Sequence, residues 1–232
     1  LYSDEQKLVR DSVRQFVDQE IIPNIEGWYE KNHFPTDIVK KMGETGIFGP
    51  NVSPEYGGGG LDSISYGLIM QELERGDSGM RSTASVQSSL VMYPIEAYGS
   101  EEQKKKYLPK LASGEMLGCF GLTEPDYGSN PAGMVSKLED KGEYFLLNGA
   151  KLWISNSPIA DIAVVWAKDE NKRIKGVIVE RGMEGFSTPK TGGKWSLRSS
   201  LTGELVFDNV KVPKENLLPN KDGLGAPLGC LD

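Results

Sequence analysis

In the first half of the chain, apolar positions recur every three or four residues. Val9, Val13, Phe16 and Val17 form one stripe, the pattern of a helix that buries a single face. Ser3 and Gln6 stand just upstream at the spacing of a capping box, in which each side chain satisfies a free amide of the first turn. Pro23 is expected to end this helix, because it cannot donate to the preceding turn. A second helix is predicted from about Asp37 to Gly43, with Gly46 near its stop. Pro54-Glu55-Tyr56 followed by Gly57 to Gly60 reads as a flexible loop. Helical spacing resumes at Ile64, Leu68, Ile69 and Leu73, breaks near Gly76-Asp77, and returns in an apolar segment from Val86 to Tyr98. Ser100 and Gln103 repeat the capping-box spacing ahead of a helix that holds Tyr107 and Leu108.

After Gly114 the period falls to two. Tyr144 to Leu147, Asn148-Gly149 and Lys151 to Ser155 read as a hairpin, since Asn-Gly supplies the positive φ angles of a two-residue turn. Ile162 to Ala167, Ile174 to Val179 and Leu205 to Val212 are predicted strands, with Pro213 as the stop of the last. No helical stretch separates them, so a parallel βαβ sheet is disfavoured. The fold class expected is α+β, an N-terminal α-helical domain over residues 1–115 followed by an antiparallel β-barrel or sandwich over 116–217. The tail from 218 to 232, with Gly223, Gly225 and Gly229, reads as a linker.

Composition narrows the function. The chain has 232 residues, 38% hydrophobic and 25% charged, with a net charge of −7, which is the balance of a globular protein. No basic stripe suited to nucleic acid is present, and no apolar run has the length of a membrane span. Lys104-Lys105-Lys106 follows Glu101 and Glu102 and reads as a solvated helix face. The two cysteines, Cys119 and Cys230, lie far apart in apolar settings, which speaks against a disulfide scaffold or zinc site and for a reducing compartment. His33, the only histidine, is read as a structural loop residue. The chain starts at Leu1, and the native N-terminus is expected to be trimmed.

Motifs carry the next step. Gly118-Cys119-Phe120-Gly121-Leu122-Thr123-Glu124-Pro125-Asp126-Tyr127-Gly128-Ser129-Asn130 resembles the flavin-binding signature of acyl-CoA dehydrogenases. Lys151-Leu152-Trp153-Ile154-Ser155-Asn156 resembles their second flavin segment, and Leu197-Arg198-Ser199 with Val210 to Asn216 resembles the end of their β domain. The three stand in the family's order. By itself the first reads better as a surface turn, and Trp153 reads equally well as a core aromatic on a hairpin.

The resemblance implies FAD as cofactor, with Phe120, Leu122, Thr123, Gly128, Ser129, Trp153, Ile154 and Ser155 around it. The Thr123 hydroxyl would bond the pyrimidine side of the ring, Ser129 and amides freed by Gly128 the pyrophosphate, and Ser155 the flavin N5. Trp153 would lie against the ring. The family commonly has threonine where Ser155 stands, and aspartate in place of Asn130, which makes Asn130 a poor site residue.

Met80-Arg81-Ser82-Thr83-Ala84-Ser85-Val86-Gln87 resembles the segment that sets glutaryl-CoA dehydrogenases apart. Arg81 would pair with the distal carboxylate of a glutaryl chain, with Ser85 one turn on and Ser82 and Ser129 also toward substrate. Without that resemblance, Arg81 reads as an arginine held by surface carboxylates such as Asp77.

The implied reaction is flavin-dependent oxidation of glutaryl-CoA to crotonyl-CoA and CO2, a step of lysine and tryptophan degradation. Electrons would leave to an electron-transferring flavoprotein. A glutamate would take the α-proton while a β-hydride passes to the flavin, with the thioester carbonyl polarised by hydrogen bonds. In the family that glutamate lies in a C-terminal helical domain, which also supplies most of a homotetramer interface. The general base is therefore expected beyond Asp232, none of the glutamates here is assigned that role, and Glu124 is read as structural. The stop at Asp232 reads first as a fragment of a full enzyme. A subunit completed by a second chain and a noncatalytic module that kept the fold are the alternatives. A bacterial cytoplasm, or else a mitochondrial matrix, is the expected compartment.

Overall fold

The computed structural model describes residues 2–231. Its first half is helical: α1 (Asp4–Phe16), α2 (Ile25–Glu30), α3 (Asp37–Glu44), α4 (Ser63–Gly76), α5 (Ser78–Ser85), α6 (Tyr93–Tyr98) and α7 (Glu101–Ala112). Both capping boxes form, Ser3 with Gln6 and Ser100 with Gln103. Two helices widen into π turns, over Val17–Ile21 after α1 and over Val86–Met92 between α5 and α6. Each lies just ahead of a proline, Pro23 or Pro94. A proline has no N–H to give and its ring crowds the carbonyl four residues back, so a wider turn spares the ladder. Asp77 caps α5 by accepting from the Met80 amide.

The second half is a curled sheet of seven strands: β1 (Gly118–Gly121), β2 (Lys137–Asp140), β3 (Tyr144–Ser155), β4 (Ile162–Lys168), β5 (Ile174–Glu180), β6 (Phe186–Ser187) and β7 (Thr202–Pro213). The α+β class holds, but the sheet is mixed rather than wholly antiparallel. β1 runs parallel to β4 along Gly118↔Ile162 to Gly121↔Val165, and β2 meets the same strand in parallel at Lys137↔Lys168. No crossover helix is needed, because the long β3 lies between β2 and β4 in the chain. The other pairings are antiparallel.

The predicted hairpin at Asn148-Gly149 does not exist. Tyr144–Ser155 is one strand paired with β7 along its length. The positive φ of Gly149 (141°) serves a close approach, since a Cβ there would collide with Ser136. The irregularity falls on β7, where Asn209 (φ 53°) is an extra residue and donates its amide to Asn148 Oδ1 at 2.8 Å. An Asn-Gly pair satisfies a bulged ladder as readily as a turn.

β4 is apolar on both faces. Ile162, Val164 and Trp166 join the core that runs on into the helices, and Ala163, Val165 and Ala167 join a second core with Leu147, Leu205 and Val210. The tail is folded rather than a free linker. Asn220 bonds the Tyr98 and Gly99 carbonyls, and α8 (Gly225–Leu228) leads to a buried Cys230. Burial pushes both thiols, Cys119 and Cys230, up to about 12, so neither is a ready nucleophile. His33 stands in a loop. Among the described residues, no helix is long and apolar enough to cross a membrane.

Candidate functional site

Between the helical half and the sheet opens a cleft of about 190 Å³, lined by Val86, Leu90, Phe120, Leu122, Thr123, Trp153, Ile154, Ser155 and Leu231. Six of these come from the two sequence motifs, and they enter from separate elements. Thr123 follows β1, and its carbonyl accepts from the Leu152 amide on β3 at 2.9 Å. That bond joins the two motifs directly.

Trp153 owes its position to a bulge. Lys151 pairs with Leu205 and Ile154 with Gly203, so β3 has one residue more than β7 across this interval. Trp153 takes φ 57° and is 69% exposed. A large aromatic ring held in the left-handed region and turned toward solvent is costly on both counts, and such bulges re-aim side chains beside sites. The sequence reading made Trp153 a hairpin residue and missed the bulge. Asn156, buried with φ 68°, donates to the Gly118 carbonyl at 3.3 Å and fixes the strand's exit. Side-chain hydrogen bonds of this stretch run through Lys151, Asn156 and Ser157. The half-buried Thr123 and Ser155 hydroxyls have no protein partner among the described residues.

Beneath the cleft lies a buried ion pair that sequence reading did not foresee. Lys151 Nζ meets Glu124 Oε1 at 2.8 Å, with side chains 0% and 2% exposed. Burial alone would raise the Glu124 carboxyl, but hydrogen bonds from Lys151, Ser136 and Val135 outweigh it and hold it below its ordinary value. Burial also pulls Lys151 down, against the pull of Glu124. The available signal was a lysine at an inward position of a strand whose other buried positions, Leu147 and Ile154, are apolar.

Gly128 and Ser129 lie on an exposed loop and do not border the cleft. A Cβ at Gly128 would meet nothing within 4 Å, so this chain itself leaves that side open. The substrate candidates are on α5. Arg81 Nε pairs with Glu74 Oε2 at 2.7 Å, its Nη1 lies 3.4 Å from Ser85 Oγ, and its side chain is 35% exposed. The carboxylate partner is therefore Glu74, not Asp77, which caps α5 and accepts from Ser199. Ser82 is half-buried, and its carbonyl accepts from Ser85 at 3.1 Å. Ser85 immediately precedes Val86 of the cleft wall. A larger hollow of about 540 Å³, bordered by Lys137, Glu139, Lys168 and Lys172, touches none of the candidate residues.

Comparison with known proteins decides the family. The description "Acyl-CoA dehydrogenase, N-terminal domain" matches residues 3–115, and "Acyl-CoA dehydrogenase, middle domain" matches residues 119–210. The chain belongs to the acyl-CoA dehydrogenase family. It is 42% identical to a glutaryl-CoA dehydrogenase of Desulfococcus multivorans over 97% of its own length and 59% of that protein. It is 40% identical to a short-chain specific acyl-CoA dehydrogenase of Clostridium acetobutylicum, over 97% of this chain and 60% of the relative. A solved glutaryl-CoA dehydrogenase of Mycobacterium smegmatis, in complex with FADH2, superimposes with a TM-score of 0.97 at 47% identity, over 99% of this chain and 59% of that one. The chain thus spans about three fifths of the length of these members of the acyl-CoA dehydrogenase family.

Proposed function

We propose that this chain forms the helical and sheet portions of a flavin-dependent acyl-CoA dehydrogenase acting on glutaryl-CoA, with FAD in the Thr123–Trp153 cleft. The observation that carries the reading is the Leu152–Thr123 hydrogen bond, which brings a forced-out tryptophan and the Thr123 and Ser155 side chains to one cleft. Apolar walls with a few polar groups suit a flat ring that is greasy on its faces and polar at its edges.

When bound, the flavin supplies the acceptor for the substrate's β-hydride. In this reading Thr123 and Ser155 donate hydrogen bonds toward it, and Trp153 covers it from water. The exposed loop of Gly128 and Ser129 offers amides to a pyrophosphate, with Ser129 also toward substrate. Phe120, Leu122 and Ile154 form the apolar floor. Arg81 pairs its outer guanidinium edge with the distal carboxylate, with Glu74 holding it in line and Ser82 and Ser85 beside it. None of the cleft-lining residues is a glutamate, so the α-proton acceptor is not among them, and release of CO2, an electron-transferring flavoprotein as acceptor and a homotetramer belong to the same reading.

One observation favours a second reading. The Glu74 pair already neutralises Arg81, which suits a straight-chain acyl-CoA dehydrogenase with a structural arginine, and the Clostridium relative is short-chain specific. Steady-state kinetics of the full-length enzyme decide between them. Arg81→Ala is expected to lower kcat/KM for glutaryl-CoA at least about 30-fold, a loss of roughly 2 kcal/mol, and to leave butyryl-CoA within about twofold. Unchanged glutaryl-CoA kinetics would overturn the glutaryl assignment.

A further inference from the structure

Two charged side chains lie fully buried between the Thr123 turn and the Trp153 bulge, and neither borders the cleft. Lys151 Nζ donates to Glu124 Oε1 at 2.8 Å and to the Leu122 carbonyl at 3.2 Å. Its two acceptors therefore flank Thr123. The Glu124 carboxylate in turn accepts from the Val135 amide at 2.6 Å and the Ser136 amide at 3.0 Å. Those bonds close the loop that carries Gly128 and Ser129, returning its far end to the carboxylate at its start. One residue after Lys151, the Leu152 amide bonds Thr123, and two residues after it stands Trp153.

We propose that Lys151 and Glu124 are positioning residues, a buried clamp that fixes the Thr123 turn, the Gly128–Ser129 loop and the Trp153 bulge in one frame for binding. The proposal rests on the flavin reading of the cleft. Stability alone does not account for such a pair. Two charges taken out of water gain little over an apolar pair of similar volume, because desolvation offsets their attraction. What an apolar pair cannot supply is direction. Here one carboxylate receives three hydrogen bonds from two separate segments, and one ammonium grips both sides of Thr123. Because neither group reaches the cleft, they act through Thr123 and Trp153, not on a ligand.

The test is titration of the full-length protein with FAD. It reads the dissociation constant and the quenching of tryptophan fluorescence that disappears in Trp153→Phe. Lys151→Met is expected to weaken FAD at least tenfold and to abolish the Trp153-specific quench at a temperature where circular dichroism shows the variant folded. A merely structural pair would lower the melting temperature of the apoprotein and leave both readouts of the folded protein at wild-type values, and that result overturns the clamp. Should Lys151→Met fail to fold, Glu124→Asp carries the test, since it keeps the charge and shortens the reach by one methylene. It should weaken FAD at least threefold, and wild-type affinity in that variant overturns the proposal. If the wild-type protein itself takes up no FAD and shows no Trp153-specific quench, the flavin reading falls and the clamp with it.

Discussion

Trp153 takes a large ring into a backbone region that an L-residue enters at a cost of about 1–2 kcal/mol. The ring recovers little of this, being 69% exposed. Trp153→Gly is accordingly expected to leave the apoprotein as stable as wild type, or more stable by about 1 kcal/mol, while FAD affinity drops. Urea denaturation of the apoprotein beside an FAD titration checks both halves, and parallel losses would show that the ring is only structural. Gly149 is the opposite case. Its φ of 141° and its contact with Ser136 leave no room for a side chain, so Gly149→Ala should cost more than about 1 kcal/mol. A melting temperature within a degree of wild type would contradict that geometry.

At the level of elements, the helical half depends on a buried carboxylate between two arginines. Glu72 on α4 is 2% exposed and receives Arg14 of α1 at 2.6 Å and Arg75 at 3.0 Å. The Arg14 hydrogen bond, with help from Arg75, outweighs burial and lowers the Glu72 carboxyl below its ordinary value. A carboxylate lowered on folding stabilises the native state fully above its unfolded pKa of about 4.3, and that contribution fades as pH falls through the lower folded value. Glu72→Gln should therefore be less stable than wild type at pH 7, with the gap narrowing below about pH 4. Chemical denaturation at pH 7, 5 and 3 measures it, and a constant gap would exclude Glu72 as the titrating group.

Across the whole molecule, buried amide side chains join the two halves, Gln103 to the Glu215 and Leu217 carbonyls and Gln87 to the start of β1. Gln87 sits on the π turn after α5, donates to the Leu111 and Met116 carbonyls at 2.9 Å each, and accepts from the Gly118 amide at 2.8 Å. It is fully buried, so Gln87→Leu strands the Gly118 amide and the Met116 carbonyl, while the Leu111 carbonyl keeps the Gly114 amide, at about 1–3 kcal/mol for each group left unmatched. Marked destabilisation is expected, along with faster amide exchange at Gly118. Native exchange rates there would show that the junction holds without Gln87. The same π turn places Val86 and Leu90 on the cleft wall, so the joint between the halves and the candidate site share one element.

Short-range features were legible in the sequence because their determinants are neighbours in the chain. The capping boxes at Ser3 and Ser100 need only a residue three positions on. The end of α4 needs only Gly76 and the Asp77 cap of the next helix. The motifs around Thr123 and Trp153 named most of the cleft wall. Whether Asn148-Gly149 turns or bulges, by contrast, depends on β7, some sixty residues away, and Trp153 is forced outward because the same distant strand is one residue short opposite it. The Lys151–Glu124 pair and the Glu74 partner of Arg81 likewise exist only once separate segments are packed together. Periodicity and capping are local energies, so the amino-acid order alone determined them. Register, bulges and buried charge pairs are set by what lies across the fold, and only the tertiary structure decided those.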